Sequence, residues 1–265
     1  LGDVYKRQML NYMKSEWYKT IHGKGFYIAG GVMCGLVLLM NLILWGSNHF
    51  ITNFPYGTFR FSLNTFTAQP IWMIALGSTI AGVLFIDDRK SGIIKNTIAY
   101  GVPREQILIG KWLVSLASSF ILMCMVFVMY VGSAYVLLEN PEWEPLRQMM
   151  MAMVSALPFS IAAMMLMNCL GVIMEKETIT MIWWMAVIYF IPMAVDILGL
   201  YFKTFEKISR WLPYTFLRRE VLVTMGAYQC LWDTPEGFLK CMVTGVIGMA
   251  AFGAWGIIKF RKQQI

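Results

Sequence analysis

Apolar residues gather into six runs, each long enough to cross a bilayer, and polar residues are confined to short stretches between them. A hydrocarbon core about 30 Å thick needs roughly 20 helical residues to span it. The chain supplies them near residues 27–46, 69–86, 112–137, 149–174, 178–200 and 238–258. The pattern predicts an all-α polytopic membrane protein with six transmembrane helices. No stretch left over is long enough for an independent soluble domain, so residues 9–265 are read as a single membrane domain.

Ahead of the first run, Leu10, Met13, Trp17 and Ile21 recur at helical spacing, with Lys14, Ser15 and Lys19 between them. This predicts an amphipathic N-terminal helix lying in the membrane interface, ended by Gly23 and Gly25. A frayed basic tail is the other reading. The preceding residues 1–8 are set apart. Asp3-Val4-Tyr5-Lys6-Arg7-Gln8 reads as a translated transposase adapter of the kind used in sequencing libraries, so residues 1–8 are expected to be a scar. The native start would then lie near Met9.

Placing Lys and Arg sets the orientation. With the amino end inside, Lys14, Lys19, Lys24, Arg89, Lys90, Lys95, Arg104, Lys111, Lys176, Lys259, Arg261 and Lys262 fall on the cytoplasmic side. The first two outer loops carry only Arg60 and Arg147, while the last outer loop is basic. Both termini are therefore expected in the cytoplasm. That last loop, residues 201–237, is too charged for a span and apolar enough for one or two interfacial helices. Thr234 is a candidate N-cap, with Pro235 at the first helical position.

Composition agrees with a membrane chain. Hydrophobic residues make up 58% and charged residues 14%, and mean hydropathy is +0.60. The net charge of +7 fits basic cytoplasmic edges and gives no argument for nucleic acid. The five cysteines form no CxxC, so neither a disulfide framework nor a zinc site is predicted.

Inside the spans, ionisable and amide groups are functional candidates by cost alone. Asp196 lies about 27 Å along the fifth helix, at 1.5 Å per residue. Two readings stand: an outer-end carboxylate paired with Lys203 or Arg210, or a residue lining a substrate route. For Asn41 and Asn168 the alternatives are interhelical hydrogen bonds or substrate contact. Pro158 and Pro192 are expected to kink the fourth and fifth helices. Glycines in the first, second and last spans, Gly245 and Gly256 among them, are expected to let helices pack closely, within the chain or at a dimer seam. The 22 methionines read either as an adaptable apolar surface or as lipid-facing filler.

The one sizeable cytoplasmic loop, residues 87–110, parses as a short helix, a turn and a restart. Ser91 caps it, Ile93, Ile94, Thr97 and Ile98 make one semi-apolar face, and Gly101 ends it in the left-handed conformation. Pro103 then suits the first turn of the next helix, with Glu105 near its positive end. A short capped helix held between two spans is a rigid lever with charged edges.

The string DDRKSGIIKNTIAYGVPREQILIGKWL in this loop resembles the signature of ABC-2-type permeases, the membrane subunits of ATP-binding-cassette exporters. The match falls on Asp87 or Asp88, Gly92, Lys95, Asn96, Gly101, Arg104, Gly110 and Lys111. An Asp pair stands where Glu is commoner at the signature's start. The resemblance covers residues 9–265 and is similar in length and style to permeases of antibiotic-peptide (lantibiotic) export and immunity. It implies a cytoplasmic coupling helix between helices 2 and 3, where Asp87, Asp88, Arg89, Gly92, Lys95, Asn96, Gly101, Arg104 and Lys111 meet an ATPase subunit. It also implies a second permease chain, identical or related, and a bacterial cytoplasmic membrane.

No G-x-x-x-x-G-K-[ST] phosphate loop occurs in the chain, so ATP and Mg would be held by the partner subunit. No catalytic residue, metal ligand or cofactor of the chain's own is expected. The function expected is an ATP-driven exporter permease moving a hydrophobic or peptide-like substrate. A secondary transporter, or a non-transporting immunity or sensor protein, is the alternative.

Overall fold

The computed structural model describes residues 2–75, 77–78, 81–82, 93–174 and 176–262, with side chains described from Gln8 onward. Asp87, Asp88, Arg89 and Gly92, together with Ser91 and the end of the 69–86 run, lie outside the described residues.

Helix α1 runs Gly2–His22 and α2 runs Lys24–Phe50. Between them Gly23 turns extended, with φ −78° and ψ 132°. A Cβ there would sit 2.9 Å from the Lys19 carbonyl oxygen, so the sharp junction depends on glycine. On α1 the buried residues are Tyr12, Glu16 and Thr20, spaced by four and therefore on one face. That face is not the apolar stripe of Leu10, Met13, Trp17 and Ile21, which lies about a quarter-turn round and stays partly exposed. The helix thus docks through a polar and aromatic edge and leaves its apolar stripe partly exposed.

A short helix the hydropathy pattern did not predict, α3 (Phe59–Thr67), follows α2. Its N-cap Thr58 accepts a bond from the Phe61 amide at 3.3 Å. Its polar Ser62, Asn64 and Thr67 are buried, so this helix is part of the core. Residues 71–75, 77–78 and 81–82 are helical. Helix α4 is Ile93–Ala99, α5 is Arg104–Leu137 and α6 is Trp143–Ile173. At 34 residues, α5 is about 51 Å long, well beyond the hydrocarbon thickness of a bilayer. Pro145 falls in the first turn of α6, where its missing N–H costs nothing.

Helix α7 (Glu177–Gly199) contains a π turn at Ala186–Phe190, immediately before Pro192. The expected kink site is therefore a local change of helical pitch. The segment after it forms α8 (Lys203–Ser209), α9 (Pro213–Arg219) and a hairpin of β1 (Leu222–Val223) with β2 (Tyr228–Gln229). Helix α10 (Pro235–Lys262) closes the fold. Thr234 caps it as expected, its Oγ1 accepting from the Gly237 amide at 3.1 Å.

Among the described residues, five helices are long and apolar enough to cross a membrane: α2, α5, α6, α7 and α10. The most enclosed is α6, which packs along α10. A Cβ at Gly245 would collide with Pro158, and one at Gly256 with Cys169. These small residues therefore let the two axes approach within this chain. Helices α2 and α7 keep most of their apolar surface outward.

Candidate functional site

Two apolar clusters hold opposite ends of α5. At its start, Tyr12, Ile94, Ile107, Leu108, Cys169, Val172 and Phe260 pack together, with Ile98 and Val102 at the edge. This cluster seats α4. Ile94 is 4% exposed, while Lys95, Asn96, Ala99 and Tyr100 face out.

The turn after α4 is a Schellman closure. Gly101 has φ +82°, its amide donates to the Ile98 carbonyl at 2.9 Å, and the Val102 amide donates to Thr97 at 3.3 Å. Helix α4 therefore ends where the glycine predicted. Pro103 serves as the N-cap residue of α5, with ψ 139°, one position earlier than expected.

Two of the signature's cations are engaged within the chain. Arg104 Nη1 donates to the carbonyls of Phe260 and Arg261, at 3.1 and 3.3 Å. Those groups lie in the last turn of α10, where carbonyls lack intrahelical partners. Glu105 adds an ion pair to Arg261 at 2.5 Å.

Lys111 is 3% exposed, and its amine meets Glu16 Oε2 at 3.1 Å. The Tyr12 phenol, pushed up by burial and then by the Glu16 carboxylate, stays protonated beside that pair. Gly110 makes the fit possible, because a Cβ there would come within 2.9 Å of the Tyr12 ring. Gly110 and Lys111 thus dock α1 onto α5, and Lys111 does not present a free charge at the surface. Lys95, Asn96 and Gly101 remain exposed. The sequence reading missed Glu16 and Tyr12. Their signal was the i, i+4 series Tyr12, Glu16, Thr20, which marks a second face of α1.

The membrane-depth polar groups divide. Asn41 is fully buried, and its Nδ2 donates to the Tyr130 carbonyl at 3.0 Å and to Ser133 Oγ at 2.7 Å. Its Oδ1 accepts from Ser62 Oγ at 2.7 Å, and the Tyr130 hydroxyl donates to the Ser62 carbonyl at 2.6 Å. The interhelical reading therefore holds for Asn41. Asn168 is equally buried, yet neither of its amide atoms has a partner among the described residues.

Asp196 does not pair with Lys203 or Arg210. It meets Arg219 Nη2 at 2.7 Å, because α9 folds back over the end of α7. Arg210 is bound instead to Glu206 on its own helix.

A comparison with curated proteins returns no significant match. The family model described as ABC-2 family transporter protein, in contrast, matches residues 12–193. This stretch takes in α1 through the π turn of α7, including the α4 turn and the Gly110-Lys111 dock, and covers more than half of the chain; the chain belongs to the ABC-2 transporter family of membrane proteins.

Proposed function

We propose that the chain is the permease subunit of an ATP-driven exporter, six-spanned and with both termini cytoplasmic. In this reading α4 is the coupling helix that a separate ATPase subunit grips. Family membership supports the class, since such permeases work with an ATP-binding subunit. The observation that carries the reading is the seating of α4. Ile94 and Ile98 fix one face, Gly101 closes its end, and Arg104 ties the following turn to α10. The opposite face, Lys95, Asn96 and Tyr100, is open to a partner. Tyr100, 85% exposed, gives an aromatic anchor of the kind that dominates interface energetics. Lys95 supplies orientation.

Force applied to such a handle passes into α1, α5 and α10 together, because Lys111 and Arg104 link all three. Two permease chains and two ATPase chains would assemble, and closure of the ATPases would draw the handles together and open the cavity outward. The cargo is hydrophobic or peptide-like: an antibiotic, a lantibiotic or a lipid-like molecule. Asp196, bound to Arg219 at the end of α7, offers no support for a proton-coupled alternative.

The test is co-expression with an ATP-binding-cassette ATPase subunit from the same organism, followed by co-purification and efflux. Lys95→Glu combined with Tyr100→Ala is expected to lower efflux at least tenfold while membrane insertion is unchanged. Full efflux in that double variant, or labelling of Tyr100→Cys only from outside the cell, would overturn the coupling role.

A further inference from the structure

Two cavities lie side by side, with Ile71 and Tyr214 lining both. The first, of about 450 Å³, is apolar and includes Phe159, Ala163, Val187, Ile188, Trp211 and Phe252 in its lining. The second, of about 410 Å³, has Gln69, Tyr189, Tyr214 and Arg218 along its wall. Each falls within the size range of small-molecule sites, which pair an apolar body with a few placed polar groups.

The backbone that shapes them is irregular. Val187 and Ile188 line the first cavity and Tyr189 the second, and all three belong to the π turn. A π turn inside a helix is uncommon and recurs at functional sites. Trp184, just before it, is fixed by a bond from its Nε1 to the Ala163 carbonyl at 2.9 Å, so the turn is held against α6.

Charge distinguishes the second cavity. Around it the cations are paired: Arg219 with Asp196, Arg210 with Glu206 and Lys240 with Glu220. Arg218 has no carboxylate partner among the described residues. Its Nη1 lies 3.4 Å from the Tyr214 hydroxyl. Burial pushes the Tyr214 phenol up, so that hydroxyl remains a donor. Tyr189 stands edge-on to Tyr214, with ring centroids 5.1 Å apart. One cation and two phenols therefore line the second cavity, and one of the phenols, Tyr214, borders the apolar chamber as well.

We infer that the paired cavities bind a single-chain anionic amphiphile, its phosphate or carboxylate head on Arg218, Tyr189 and Tyr214 and its alkyl chain in the chamber lined by Val187, Ile188 and Trp211. A lipid tail is as apolar as the chamber wall, so the chain gains little on leaving the bilayer. Selectivity sits in the head, where hydrogen bonds to a charged group are the strong ones. Joined to the exporter reading, the site names a cargo class, but its binding test does not depend on that reading.

The full chain in phosphatidylcholine nanodiscs is photolabelled with dodecyl phosphate carrying a diazirine at the chain end. Label is expected on residues 187–188, Trp211 or Phe252. Unlabelled dodecyl phosphate should compete at least tenfold better than dodecanol, and inorganic phosphate should not compete. Arg218→Gln, at an exposed position, should cut labelling about tenfold, as expected for loss of a charged hydrogen bond. Val187→Phe should cut labelling of the chamber with either head. Equal competition by dodecanol, competition by inorganic phosphate alone, or unchanged labelling in Arg218→Gln each overturns the site. A chain that takes the probe but never an ATPase overturns the exporter reading and leaves this one standing.

Discussion

At one end of the bundle, α1 and α4 rest on a small apolar cluster and on charged contacts: Glu16 to Lys111, Arg104 to the last carbonyls of α10, and Glu105 to Arg261. At the other, α3 and α9 are sunk in a much larger core that includes Phe59, Leu63, Tyr130, Phe159, Phe216 and Trp232. There the polar network of Asn41, Ser62 and Tyr130 is wholly enclosed. Apolar burial is non-directional and hard to exchange, whereas an ion pair has a geometry that can break and reform as a unit. The difference teaches that the two ends are held by contacts of different kinds. The end bearing the exposed face of α4 is held by a few directional contacts, and the end bearing α3 and α9 is held by packing.

The sharpest break of that comparison is at Lys111. Lys111→Met leaves the Glu16 carboxylate buried without its cation, which costs about 3–5 kcal/mol. Adding Glu16→Gln should restore most of it, because the uncompensated charge is then gone. A double-mutant cycle on thermal unfolding of the purified chain measures both. A single-variant cost under about 1 kcal/mol would mean that the pair is not a latch.

The locked end has a smaller expected response at any one polar group. Asn41→Leu removes bonds to Tyr130, Ser133 and Ser62 that join α2, α5 and α3. Interhelical hydrogen bonds in membranes are worth about 0.6–1.7 kcal/mol, so a loss of about 1–2 kcal/mol is expected by the same melt. Were Asn41→Leu to cost as much as Lys111→Met, the two ends would not differ in kind, and burial would not be what holds the far end.

Signals confined to a few residues were legible in the sequence, and signals that required distant partners were not. Gly101, Thr234 and Pro192 each act on their own backbone, and each marked a turn, a cap or a helix irregularity close to where it is found. Helix α3 was not predicted, because Ser62, Asn64 and Thr67 interrupt its apolar pattern. Their burial depends on Asn41, Tyr130 and the chain around Thr224, which no local pattern supplies. Lys111 looked like a surface charge because its partner lies 95 positions away. Asp196 was given the nearest cations, whereas the fold brings Arg219 back over it. In each miss a polar group was assigned to water or to a neighbour when tertiary contact had already engaged it.

The smallest expected effect compares two ion pairs on one helix. Glu105 and Lys111 both sit near the start of α5, and both reach an oppositely charged residue, Arg261 or Glu16. The Glu105–Arg261 side chains are 45% and 60% exposed, against 11% and 2% for Glu16 and Lys111. Water and salt screen the first pair, and exposed pairs contribute about 0.2–1 kcal/mol. Arg261→Ala should therefore shift the melt by less than about 0.5 kcal/mol at 0.15 M salt. Any shift should fade at 1 M salt, where the Debye length falls to about 3 Å, while the Lys111→Met penalty should persist. Salt dependence then separates burial from charge: if both variants responded to salt alike, the dock between α1 and α5 would be wetter than its geometry requires.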